Sequence, residues 1–210
     1  QHSEIDALGG EIGRAADLTG IHFRMLNRSK GPAVWAPRAQ NDRQMYQQIM
    51  RETLEKQDNL QIIEASISDL LVENNAVQGV KSQIGRCYYA PKVILATGTF
   101  LKGKIHIGKI SFPGGRSGEP SADQLSGALA TWGLQVRRFK TGTPPRIDLR
   151  SLDYSKLEAQ PGDPDPLGFS YYRDIDLKNQ VCCYLTRTTE QTNSIIRQNL
   201  DQSALYSGII

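Results

Sequence analysis

Three groups of residues in this 210-residue chain have types and spacing that could do chemistry. The first is Thr97-Gly98-Thr99, which closes the apolar run VILA at positions 93–96. A short continuous apolar run is the pattern of a strand covered on both faces, and a glycine at its carboxyl end lets a ligand approach the backbone. The same three residues also suit a tight turn after a core strand, so spacing alone leaves ligand and turn both open. The second group is basic: Arg137, Arg138, Lys140, Arg146 and Arg150 lie close together. Such a run can meet phosphates or stand as a solvated face. The third group is the thiols Cys87, Cys182 and Cys183, which have neither metal-ligand spacing nor a disulfide framework. Taken alone, both neighbouring cysteines read as small core side chains. His2, His22 and His106 are scattered. No P-loop or nucleophile elbow occurs, and the glycines at 9, 10 and 13 and at 114, 115 and 118 are misspaced for a dinucleotide fingerprint.

Those groups need elements to hold them. Ile5, Leu8, Ile12 and Ala15 recur at helical spacing, residues 21–26 predict a strand, 29–34 a loop and 38–56 a helix. A strand over 60–65 leads into three alternating segments at 67–72, 77–82 and 87–89, an antiparallel meander that feeds the buried strand at 93–96. A meander placed just before a parallel strand is a common arrangement in flavoproteins with two dinucleotide-binding domains. Residues 102–120 are loop-rich, and Ser121-Ala122-Asp123-Gln124 matches a capping box that opens a helix ending at Gly133. Beyond it come an extended stretch at 136–139, a rigid turn at 141–146, an irregular connection at 160–166, a strand at 181–186 and a helix at 190–200.

Composition is that of a soluble globular chain, 39% hydrophobic and 22% charged, long enough for one large domain or parts of two. A net charge of +3 is too mild to demand nucleic acid by itself. No apolar run reaches the length of a membrane span, no signal peptide opens the chain, and the cysteines fit a reducing setting. The chain begins without Met, directly in a helical pattern, and is read as an interior piece of a larger protein.

The blocks DALGGEIGRAADLTGIHFRMLNRSKGPAVWAPRAQNDR, ATGTFLKGKIHIG, GGRSGEP, FKTGTPPRID and CYLTRT run in this order along almost the whole chain. In that order they resemble the GidA/MnmG family, FAD-dependent tRNA uridine 5-carboxymethylaminomethyl modification enzymes. The resemblance implies an α/β fold: part of an FAD-binding Rossmann-like domain over 1–137, with a helical insert near 38–56 and a β-meander at 67–89. Residues 138–210 would be part of a mostly β inserted domain on the substrate and NADH side. It implies FAD as cofactor, NADH and methylenetetrahydrofolate as co-substrates, and the wobble uridine of tRNA as target. The MnmE GTPase would be the partner, the protein a homodimer, and its location the cytoplasm, or the mitochondrion for a eukaryotic parent. No metal is expected, and this chain by itself is expected to be inactive and to bind FAD poorly.

Carried over by position, Ile67, Thr97, Gly98 and Thr99 would approach FAD, with Ile67 using its backbone at the adenine end. The family often has serine where Ala122 stands, so a hydroxyl contact would pass to Ser121. Lys30, Gly31, Arg38 and Gln40 resemble active-site surroundings; Trp35 stands where the family often has arginine. Arg138, Lys140 and Arg146 would face tRNA. Cys183 stands before Tyr184 in the C-Y-x-T block and would be the nucleophile, with Arg187 near enough to support a thiolate. Cys182 would face the other side of the strand. The alternatives are a folate- and FAD-dependent tRNA uracil-5-methyltransferase and a non-catalytic tRNA-binding or GTPase-scaffold module. The block from Lys140 to Arg146 and CCYLTRT favour the first reading.

Overall fold

Two adjacent glycines interrupt the first helical pattern, which folds as α1 (His2–Ala7) and α2 (Ile12–Thr19), with Gly9 at φ 84° between them. The computed structural model describes residues 2–172 and 174–208. They form two units: one holds the chain to Ile62 together with Arg146–Arg187, the other Ile63–Pro145 together with the residues from Thr188 onward.

In the first unit, β1 (Gly20–Leu26) pairs antiparallel with β2 (Ala36–Asn41), and α3 (Arg43–Glu55) follows. The helix expected from 38 therefore starts five residues later. Asp42 caps it by accepting from the backbone N–H groups of Gln44 and Met45, and the segment before it is held extended by β1. Pro37 favours that extended state in the residue before it. Farther along, β8 (Glu158–Gln160) pairs antiparallel with β9 (Cys183–Leu185). Residues near β8 and β9 complete the free edge of β1: Asp163 N–H donates to Phe23 O at 2.8 Å and Gln180 N–H to Ile21 O at 2.8 Å. Ala15 and Phe23 form the buried apolar centre.

Two buried aspartates fasten the later segment to the first helices. Asp17 accepts from the backbone N–H groups of Phe169 and Ser170, and Asp6 from the Ser170 hydroxyl and the Tyr171 N–H. Buried carboxylates are tolerated only when so satisfied.

In the second unit the expected meander is present as β3 (Ile67–Glu73), β4 (Ala76–Ser82) and β5 (Cys87–Tyr89). Asn74 and Asn75, at φ 49° and 61°, make the tight left-handed turn that matches hairpin twist. The helix α4 (Gln124–Thr131) packs on β3, burying Leu125 and Leu129. The glycine-rich stretch expected as loop holds a hairpin, β6 (Lys104–Ile107) with β7 (Ile110–Pro113). The last helix, α5 (Glu190–Gln198), has a capping box between Thr189 and Thr192.

Two expectations change here. Residues 60–65 and 93–96 pair with no neighbouring strand and form no regular element, and Ile94 is 92% exposed. A parallel strand draws all its ladder bonds from neighbours, and every named strand pair among the described residues is antiparallel. The Ser121 capping box also fails: its hydroxyl donates to Asp123 Oδ1 at 2.6 Å instead of capping α4.

Candidate functional site

Cys183 opens β9, and its sulfur accepts a hydrogen bond from Gln40 Nε2 at 3.2 Å. Two ladders bring them together. Gln40 lies opposite His22 across β1 and β2, and Cys183 lies opposite Gln160 across β8 and β9. His22 Nε2 then meets Gln160 O at 3.2 Å. Four residues thus close a ring with two sides of strand pairing and two of hydrogen bonding. His22 is wholly buried, so the ring is anchored in the core, while Cys183 is half-buried and Gln40 exposed.

Cys182 is exposed, and its thiol donates to Cys183 O at 3.2 Å. Arg187 has its guanidinium on Glu158 at 3.2 Å, so its positive charge is engaged by a carboxylate. Tyr184 meets Tyr154 edge-on with ring centroids 4.8 Å apart, a contact that holds β9 beside the turn at Tyr154–Lys156. Arg38 lies on β2 two residues before Gln40 and so shares its face. Lys30 and Gly31 sit in the loop joining β1 to β2, where Arg28 pairs with Asp163 at 2.9 Å and Trp35 Nε1 donates to Arg28 O. No hydrogen bond or ion pair among the described residues ties Lys30 or Gly31 to Cys183.

The residues expected to approach a flavin lie in the second unit. Gly98, at φ 54°, turns the chain so that Phe100 N–H reaches Thr97 O at 3.1 Å. A Cβ on Gly98 would meet nothing within 4 Å, so the backbone there is open. Thr99 Oγ1 donates to Gly115 O at 2.7 Å. Leu101 bridges to Ala122, which brings the 97–99 turn near Ser121 and Ala122. The Ala122 N–H is spent on Phe100 O at 2.8 Å and its carbonyl accepts from Lys102 N–H at 2.9 Å, leaving its methyl for any ligand. Ile67 opens β3, an edge strand of the meander, so its outward backbone groups have no ladder partner. This edge suits a flat ligand laid against backbone, and it carries no cation among Ile67, Thr97, Gly98, Thr99, Ser121 and Ala122.

Arg137, Arg138, Lys140 and Arg146 are all exposed on chain without regular structure, and Arg138 Nη1 donates to Lys102 O at 3.4 Å. A cleft of about 390 Å³, lined by Asp17, Asp165, Ser170, Tyr172 and Asp176 among others, includes none of the residues expected at a site. Its Asp17 carboxylate is already committed to backbone N–H groups. Among the described residues no cluster of His, Cys, Asp and Glu could hold a metal ion, and no helix is long and apolar enough to cross a membrane.

Sequence reasoning missed His22, Arg24 and Gln160. The usable signal was strand alternation, which puts His22 and Arg24 on one face of β1 opposite Gln40 and Arg38 once 36–41 is read as a strand.

Comparison with known proteins gives the family of the chain. The family described as Glucose inhibited division protein A matches residues 2–210. The tRNA uridine 5-carboxymethylaminomethyl modification enzyme MnmG of Protochlamydia amoebophila is 50% identical over 208 residues, 99% of this chain and 33% of that protein. The MnmG of Thermodesulfovibrio yellowstonii is 51% identical over 207 residues, with the same coverage. The crystal structure of Aquifex aeolicus GidA in form I superposes with a TM-score of 0.91 at 46% identity, over 100% of this chain and 36% of that one. The chain spans about a third of the length of the curated relatives it matches. Over this length, in both sequence and fold, the chain belongs to the Glucose inhibited division protein A family.

Proposed function

We propose that the protein carrying this chain modifies the wobble uridine of tRNA, installing a 5-carboxymethylaminomethyl or 5-aminomethyl group in an FAD-dependent reaction. The observation that carries the reading is the Gln40 amide set 3.2 Å from Cys183 Sγ in a chain of this family. An N–H aimed at sulfur fixes its direction and stabilises negative charge on it. Cys183, as thiolate, adds to C6 of the uracil ring, and the C5–C6 electron pair moves to an enolate. C5 then attacks a one-carbon electrophile derived from methylenetetrahydrofolate, and glycine or ammonium supplies the amine that completes the side chain. Loss of the C5 proton and departure of the sulfur restore the ring, and the charge returns to a sulfur already facing the Gln40 donor.

FAD, when bound, supplies the redox exchange with NADH that this chemistry needs. Ile67, Thr97, Gly98 and Thr99 would line one wall for it, with Ser121 and Ala122 beside them. Lys30, Gly31 and Arg38 would complete the surroundings of the site, and Arg138, Lys140 and Arg146 would meet tRNA. In this reading residues 1–137 belong to the FAD-binding domain and 138–210 to an inserted domain. The protein works as a cytoplasmic homodimer with the MnmE GTPase. The test is nucleoside mass spectrometry of tRNA from a strain lacking the gene. Loss of the wobble modification with ribothymidine retained is expected. Loss of ribothymidine instead, or no change in either, contradicts the proposal.

A further inference from the structure

We propose that Arg24 and Arg38, paired across β1 and β2 beside Gln40 and Cys183, form a binding site for a phosphate of the tRNA backbone. The inference rests on the reading of Cys183 as a nucleophile toward a tRNA uridine and adds the residues that hold the nucleotide's anionic part.

The register puts Arg24 directly opposite Arg38, and His22 directly opposite Gln40. Successive side chains of a strand alternate faces, so all four project from one side of the hairpin. Gln40 reaches Cys183 from that side. The two guanidinium groups therefore share the face that carries the thiol.

Like charges directly opposite on a sheet destabilise it. Neither arginine makes an ion pair among the described residues. Arg24 spends one donor on Pro161 O at 3.0 Å. Asp163 does not neutralise the pair: one of its oxygens already takes Arg28 at 2.9 Å and Met25 N–H at 2.7 Å. The fold has thus set two cations together without supplying their counter-charge.

A second observation points the same way. Among the described residues, the buried side-chain polar atoms without a hydrogen-bond partner are His22 Nδ1 and Arg38 Nε, and both belong to this face. Buried polar atoms are nearly always satisfied, so two orphans on one hairpin face leave the bonding there incomplete. Arginine forks match phosphate oxygens in pairs, and a nucleotide carries its phosphate on the same unit as its base. An anion site beside the sulfur that attacks the base is what would hold that nucleotide in place. Neither His22 nor Arg24 belongs to the basic stretch around Arg138.

The experiment uses the full-length protein with Arg24→Gln, Arg38→Gln, the double variant and Arg38→Lys. Affinity for the substrate anticodon stem-loop is measured against salt, alongside flavin absorbance and the thermal midpoint without RNA. Each Gln variant should bind RNA about tenfold more weakly, and the double variant's salt slope should fall by about one unit, for the one phosphate lost. Arg38→Lys should recover part of the loss, flavin content should hold, and the midpoint should stay or rise because a repulsion is gone. Wild-type affinity and slope in the double variant would overturn the proposal. So would loss of flavin with an unchanged RNA slope, which assigns the arginines to a cofactor phosphate. A falling midpoint with no recovery in Arg38→Lys would overturn it as well, leaving a structural role. If wild type modifies tRNA while the variants bind normally, only this inference fails. If wild type leaves the wobble uridine untouched, the functional reading beneath it fails.

Discussion

Replacing Asp17 should loosen the first unit at one defined seam. Asp17 is 5% exposed, and its two oxygens accept from Phe169 N–H at 2.9 and 3.0 Å and from Ser170 N–H at 2.9 Å. Asp17→Ala takes the carboxylate acceptor away from two backbone donors. Each unsatisfied buried donor costs about 1–3 kcal/mol, and part of the total is offset because a buried carboxylate is also removed. The expected loss is about 2–4 kcal/mol, a large share of the ~5–15 kcal/mol that holds a typical domain together. Asp17→Asn keeps one acceptor oxygen and should lose about half as much. Asp6 holds the adjacent Ser170 hydroxyl and Tyr171 N–H at 2.8 and 2.7 Å, so the double replacement should be non-additive. Urea unfolding gives the free energies, and hydrogen exchange at the amides of residues 169–171 gives the location. The reasoning is wrong if Asp17→Ala falls within about 0.5 kcal/mol of wild type, the range of ordinary surface changes, or if those amides stay protected.

Three further outcomes are expected. Replacing Arg138 and Lys140 by Ala in the full-length protein should lower the salt slope of tRNA binding by about two units and leave flavin content unchanged; an unaltered slope makes the stretch a solvated face. FAD titration of the isolated 210 residues should show much weaker binding than the full-length protein, since pyrophosphate binding in these folds depends mainly on a Gly-x-Gly-x-x-Gly turn that these residues lack; equal, tight binding contradicts this. The Arg150 side chain beside Asp148, with the Arg150 N–H, holds that carboxyl below its ordinary value. The stability this lends the turn at Leu149–Ser151 is therefore full above the unfolded carboxyl's range and is lost as pH falls through the lowered value. An NMR titration of Asp148 that ran at or above the ordinary carboxylate range would contradict it.

The meander was legible because its signals are local: alternation along each strand and an Asn-Asn turn that accepts left-handed geometry. The strand Ala36–Asn41 was not, because APRAQN has little intrinsic β preference and becomes extended only by pairing with β1. Its residues instead extended the helical reading of α3 backwards. At 60–65 and 93–96 the apolar character was legible, but a strand also needs a neighbour on its ladder. The hairpin at 104–113 was hidden by its glycines and lysines. At the site, Cys183 and Gln40 were each nominated through the family's motifs, yet their contact joins residues 143 positions apart. His22 and Arg24 carry no motif, and their place beside the thiol exists only through strand register.

The most direct test of the account is complementation of a strain lacking the gene with full-length protein carrying Cys183→Ser or Cys182→Ser, read by mass spectrometry of the tRNA wobble nucleoside with flavin content checked. The account predicts near-complete loss of the modification for Cys183→Ser with flavin retained, and substantial activity for Cys182→Ser, whose sulfur is not the one that Gln40 contacts. Full modification by Cys183→Ser, or equal loss in both variants, would contradict it.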